Sequence, residues 1–241
     1  MKNHLRRAWM YDLRVRAITG FEYRCPSWMI VTFRAAQIVN EGKERLASMS
    51  ETICVIGHST MPIEKFLKIL EAHSIKMLVD IRTIPKSRHN PQFNSDTLRG
   101  SLAGAGIEYV HVKELGGLRH SSKNSVNTGW RNLSFRGYAD YMQTDEFEAG
   151  LHKLIRLGKS RKVAIMCAEG NPFRCHRSLV ADALTVRGIH AVNIASQKSG
   201  RLHVLTSFAE VHGHRIKYIE VQAPMKQNVD SILGNARSDE G

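Results

Sequence analysis

In Val163-Ala-Ile-Met-Cys-Ala-Glu-Gly-Asn-Pro-Phe-Arg-Cys-His-Arg-Ser178 an apolar run of strand length gives way to a turn and then to a helix. Lys162 to Met166 has the residue types of a buried strand. Gly170-Asn171-Pro172 cannot continue a strand and marks the turn. From Cys175 to Leu184 the apolar residues recur as on one face of a helix. Cys167 and Glu169 therefore leave the strand, and Cys175, His176 and Arg177 enter the helix. A helix N-terminus carries unpaired N–H groups and partial positive charge, which favours anions and thiolates. Two thiols, an acid, an imidazole and a guanidinium within residues 167–177 read as a site.

Outward from this stretch, the same alternation recurs. Thr52 to Ile56 is a buried-type strand ending in Gly57-His58-Ser59-Thr60, with Ser59 or Thr60 as cap of a helix that Pro62 opens. Ile63, Phe66, Leu67 and Leu70 give that helix its apolar stripe. Ile75 to Ile81 is a second strand, and residues 82–91 form a polar loop. Ser95 to Ala103 reads as a helix closed by Gly104 and Gly106, and Ile107 to Val112 as a third strand. Residues 120–136, rich in Ser, Asn and Gly, read as an extended loop. Helical spacing returns at Tyr138–Met142 and from Asp145 to Leu157. Ile189 to Ile194 is a further strand, Arg201 to Phe208 a short helix, and Ile216 to Val221 a late strand. The last twenty residues read as a tail.

Strands alternating with helices predict an α/β fold, three layers with a mainly parallel sheet and helices on both faces. Such sheets bind ligands outside the C-terminal ends of their strands. Those ends carry His58 and Ser59, Asp80 and Arg82, Glu114 with Gly116 and Gly117, and Cys167 with Glu169. Four separated segments are thus expected to converge on one edge.

The 241 residues divide into a basic extension at 1–48, an α/β domain at 49–200 and a C-terminal extension at 201–241. Residues 1–48 are either a flexible basic arm or a stretch upstream of a natural start at Met49. They hold nine Lys/Arg and four Asp/Glu, net +5, out of a total of +13, so the remaining +8 is spread over residues 49–241. That charge favours anionic partners, a small molecule or nucleic acid. No apolar run approaches the ~18 residues of a membrane span, and no secretory signal follows the basic start. Four cysteines in a chain this long do not make a disulfide framework, so reduced thiols and a cytoplasmic location are expected. A homo-oligomer is left open. No cofactor is required.

The quoted residues also resemble the family catalogued as domain of unknown function 488. The resemblance rests on Ile56-Gly-His-Ser59, Val79-Asp-Ile-Arg82 with Pro85 and Ser87-Arg88, Glu114-Leu-Gly-Gly117, Gly137 to Met142, and Cys167 to Arg177. It covers roughly residues 51–195 and implies an α/β domain without an established activity.

Each candidate has two readings. Cys175 and Cys167 are nucleophile and redox partner, metal ligands, or packing residues beneath a helix start. A Cys-x5-Arg phosphatase loop is approached, but six residues separate Cys167 from Arg174. Glu169 and His176 move protons, or Glu169 pairs with Arg177 or Arg82. Arg82, Arg88 and Arg177 bind phosphate, with Ser87 in the same basic loop, and His58 with Ser59 forms an anion nest at the first helix. Asp80 and Arg82 face opposite sides of their strand, or one reaches the strand end; alternatively Asp80 caps or anchors the neighbouring loop. Glu114, Gly116 and Gly117 suggest a close backbone approach. Tyr138, Tyr141 and Met142 read as helix core, and Cys25 and Cys54 as incidental. The expectation is an enzyme acting on an anionic substrate. The alternatives are a nucleic-acid-binding module and a thiol-ligated metal protein.

Overall fold

The computed structural model describes residues 51–220; the N-terminal extension and the C-terminal tail lie outside them. β1 (Thr52–Gly57) is followed by α1 (Ile63–Ala72), β2 (Met77–Asp80), α2 (Ser95–Gly104) and β3 (Glu108–His111). Then come α3 (Leu133–Tyr141), α4 (Asp145–Ser160), β4 (Val163–Cys167), α5 (Arg177–Thr185) and β5 (His190–Ile194). β6 (Gly200–Leu202) and the hairpin β7 (Ala209–His212) with β8 (Arg215–Tyr218) complete the order. The main sheet runs β3-β2-β4-β1-β5-β6, parallel throughout except for the antiparallel β5–β6 pair.

Both faces of this sheet are covered, which is why β1, β2 and β4 are apolar without alternation. On one face Cys54, Ile56, Leu78, Ala164 and Met166 meet Phe66, Ile69 and Leu70 of α1 and Leu98 and Leu102 of α2. On the other, Ile53, Val55, Val79 and Ile165 meet Tyr138, Phe147, Leu151, Leu179 and Leu184 from α3, α4 and α5. The fold is three-layered and mixed α/β. Among the described residues no helix is long and apolar enough to cross a membrane.

Three local expectations are corrected. α1 takes no side-chain cap: its N-cap is Pro62. Ser59 sits at φ 48° and its N–H donates to the Ala168 carbonyl instead, 2.9 Å away. α3 begins at Leu133, inside the stretch read as loop, because the Asn132 side chain accepts from the Ser134 and Phe135 N–H groups. The helix expected over 201–208 is absent; Leu202 pairs with Val192 and extends the sheet.

Residues 203–218 are tied to the core partly through a buried carboxylate. Asp182 Oδ1 accepts from His203 Nε2 (2.7 Å) and the Thr206 N–H (3.1 Å), and Oδ2 from Thr206 Oγ1 (2.7 Å) and Tyr218 Oη (2.9 Å). Asp140 does the same for the loop before α3, accepting from the Ser122 N–H, Ser125 Oγ and Asn127 Nδ2. That loop is thereby anchored to α3.

Candidate active site

β1 and β4 are adjacent and parallel, with Gly57 opposite Cys167. Beyond this register the backbones stay joined: His58 N–H donates to the Cys167 carbonyl at 3.1 Å. The loop from Ala168 to Cys175 then turns back to start α5, so Cys167 and Cys175 face each other across it. A cavity of about 500 Å³ opens here, lined by His58, Ser59, Ser87, Gly117, Cys167, Glu169, Cys175 and His176 among others. Eight of the predicted site residues are brought together.

The imidazole of His176 organises the thiols. Its Nε2 lies 3.2 Å from the Ile81 carbonyl, which only accepts, so Nε2 carries the hydrogen and Nδ1 faces the sulfurs. Nδ1 is 3.8 Å from Cys175 Sγ and 3.9 Å from Cys167 Sγ, and all three atoms lie within 4.8 Å of one another. The ring is backed by Tyr138 at 4.9 Å between centroids. A Cβ on Gly117 would approach Nδ1 to 2.9 Å, so the close approach implied by the paired glycines is to His176.

Arg177 is the largest fully buried side chain, 1% exposed. Its Nε donates to Cys175 Sγ at 3.2 Å and one terminal nitrogen donates to the Glu169 carbonyl. Gly57 makes room for it, since a Cβ there would come within 2.6 and 2.8 Å of the guanidinium. The two thiols are driven apart in acidity. A hydrogen bond from Cys167 and the neighbouring His176 and Arg177 lower the Cys175 thiol well below its usual range, against burial. Cys167, donating to Cys175 and desolvated, is held protonated well above it. The opposed shifts make Cys175 the more acidic thiol of the pair and favour the proton on Cys167.

The remaining candidates separate. Asp80 and Arg82 do not diverge along their strand. They form a buried pair, with Nε to Oδ1 at 2.9 Å and a terminal nitrogen to Oδ2 at 2.5 Å. Tyr109 Oη donates to Asp80, and Arg82 also donates to the Phe93 carbonyl. Their polar atoms are satisfied by protein, so neither lines the cavity. His58 stacks on Phe93, centroids 4.1 Å apart, donates Nδ1–H to the Ser59 carbonyl and accepts from Arg82. Burial pushes its pKa down to about 4, so it is neutral.

Glu169 is exposed at the rim, its carboxylate accepting from the Asn171 N–H, and forms no pair with Arg177 or Arg82. Arg88 is exposed and outside the cavity lining. Glu114 is half-buried under Gly150, away from the cavity, with Oε2 lacking a partner. Gly116 packs on Thr83. Arg174, Asn90, Ser134 and Tyr138 line the cavity and were not singled out as site residues. For Arg174 the signal was present: it follows the Pro172 turn on the same loop as both thiols. Ser134 and Tyr138 required knowing that α3 begins at Leu133 and crosses the cavity.

No curated protein and no solved structure matches this chain. The family model described as "Domain of unknown function DUF488" matches residues 62–184, which takes in the segments from α1 through α5 and both site thiols, while His58 and Ser59 fall before it. Spanning half of the sequence and including the loop that carries Cys167 and Cys175, this match shows that the chain belongs to the DUF488 family.

Proposed function

We propose that the protein is a thiol-dependent enzyme acting on a small anionic substrate bearing phosphate or a comparable group. The observation that carries this reading is the Cys175 sulfur held 3.2 Å from the buried Arg177 Nε at the wall of a cavity. A volume of about 500 Å³ suits a small molecule. Arg174 at the wall favours negative charge.

In this reading the Cys175 thiolate attacks the electrophilic centre. An S–substrate bond forms, the bond to the leaving group breaks, and the leaving group takes the proton of the Cys167 S–H. Water then cleaves the S–substrate bond, its hydroxyl going to the substrate and its proton to Cys167, and the Cys175 thiolate is freed. His176, fixed through Ile81, adjoins both sulfurs and stabilises the proton in passage. Cys175 and Cys167 take the chemical roles and His176 the proton-relaying one. Glu169, exposed at the rim with its carboxylate accepting from the Asn171 N–H, takes no part in this step. The test is a turnover screen of phosphorylated and nucleobase-bearing compounds with wild type and Cys175→Ser. A loss of about 10³-fold or more supports the reading; wild-type turnover in the variant removes it.

One observation favours a second reading, a nucleic-acid-binding module. Phe173 is 74% exposed beside Arg174, and Lys86 and Arg88 flank Ser87 of the cavity lining. Stacking on an exposed ring within a basic rim suits single-stranded nucleic acid. Binding that falls steeply with salt and ignores Cys175→Ser favours this reading instead.

A further inference from the structure

Cys167 Sγ, Cys175 Sγ and His176 Nδ1 form a triangle whose two S···N sides come close to those of a metal's coordination shell. An ion about 2.3 Å from sulfur and about 2.0 Å from nitrogen sets tetrahedral S···N separations near 3.5 Å and S···S near 3.8 Å. The S···N distances here are 3.8 and 3.9 Å, so closure requires shifts of a few tenths of an ångström. The third side is within 4.8 Å.

Two further observations point the same way. His176 donates its outer nitrogen to the Ile81 carbonyl, the arrangement that orients metal-bound histidines and fixes the ligating nitrogen. Tyr138 on one side and Gly117 on the other hold the ring in that plane. Second, the three donors leave one side facing the cavity, so a fourth position is open to water or a ligand. Soft sulfur with imidazole selects thiophilic d10 ions over hard ones. Charge narrows the choice further. Two thiolates against buried Arg177 leave one negative charge, which a monovalent ion cancels. A divalent ion reaches neutrality only with an anion in the open position.

We infer that Cys167, Cys175 and His176 bind one thiophilic d10 metal ion, Cu(I) or Zn(II), from the cavity side. The ligand set stands on geometry alone. Its consequence rests on the thiol-enzyme reading: an ion on both sulfurs caps the nucleophile and switches the site off.

The experiment titrates reduced, metal-free full-length protein with Cu(I) and, separately, with Zn(II), each against a chromophoric chelator. Alkylation of Cys175 is mapped on the same samples. One equivalent of either ion is expected to bind, weakened about 100-fold or more by Cys167→Ala, Cys175→Ala or His176→Ala, and unchanged by Cys54→Ala. Should those variants fold poorly, His176→Gln and protection of wild-type Cys175 from alkylation by one equivalent of ion give the same reading. Cu(I) bound in preference supports the three-coordinate neutral site. Zn(II) bound more tightly when an anion is added supports the four-coordinate one. Binding of neither ion, or binding indifferent to these variants, overturns the inference. In that event a reactive, unprotected Cys175 leaves the thiol-enzyme reading standing. Conversely, tight binding with no Cys175-dependent turnover in any screen retains the metal site and discards that reading.

Discussion

Arg177 Nε lies 3.2 Å from Cys175 Sγ, and among the described residues no carboxylate forms an ion pair with that buried guanidinium. A cation this deep calls for a counter-charge, which a thiolate at Cys175 would supply. Replacing Arg177 with Met keeps an unbranched apolar stem and removes the charge. The Cys175 thiol should then rise, by less than loss of the Cys167 hydrogen bond would raise it, and the pH at which its alkylation falls away should move upward with it. Alkylation followed by mass spectrometry reads this directly.

Gly57 and Gly117 hold the two basic groups against the sulfurs. A Cβ at Gly57 would meet the Glu169 carbonyl at 2.0 Å as well as the Arg177 nitrogens, so Gly57→Ala must push the loop or the guanidinium aside. Overpacking of this kind costs about 1–3 kcal/mol. Urea unfolding should show that loss, and the low-pH reactivity of Cys175 should decline with it. Gly117→Ala acts on His176 alone and should move the thiol less.

Asp80→Asn tests the reading of the Asp80–Arg82 pair as structural. It leaves Arg82, 5% exposed, without its carboxylate, a loss of about 3–5 kcal/mol. Arg88→Ala, on an exposed side chain, should leave the midpoint of denaturation within about 0.5 kcal/mol of wild type.

His58 makes stability depend on pH with a defined sign. Its pKa is lowered to about 4 in the folded chain, first by burial, against ~6.5 unfolded. Between those values the unfolded state binds the extra proton, so stability is lost as pH falls from about 6.5 to about 4, by up to ~3 kcal/mol. His58→Gln should flatten this dependence in thermal unfolding across that interval. An equal slope in the variant would assign the effect to other groups.

The sheet was legible because β1, β2 and β4 are buried on both faces and read as short unbroken apolar runs. The site's position was legible for the same reason: a parallel sheet delivers the residues after each strand to one edge. What escaped the sequence was where side chains turn once there. Asp80 and Arg82, two apart, were expected to diverge, yet a buried arginine is most cheaply satisfied by the nearest carboxylate, and Tyr109 from β3 completes the cluster. The start of α3 was missed because Asn132, a good cap, sits in a polar stretch that composition alone reads as loop. The segment 201–208 was misread because its conformation is set by β5 and Asp182, far away in sequence.

The most direct measurement of the central claim is the rate of Cys175 alkylation by iodoacetamide against pH in wild-type protein, mapped by mass spectrometry with Cys175→Ser as control. Modification at Cys175 is expected to persist with little decline below pH 6, while Cys167, its thiol pushed up, and Cys54, whose thiol burial pushes up, stay unmodified. A rate that climbs through the ordinary thiol range near ~8.5, or equal reaction at Cys167 and Cys175, would contradict it.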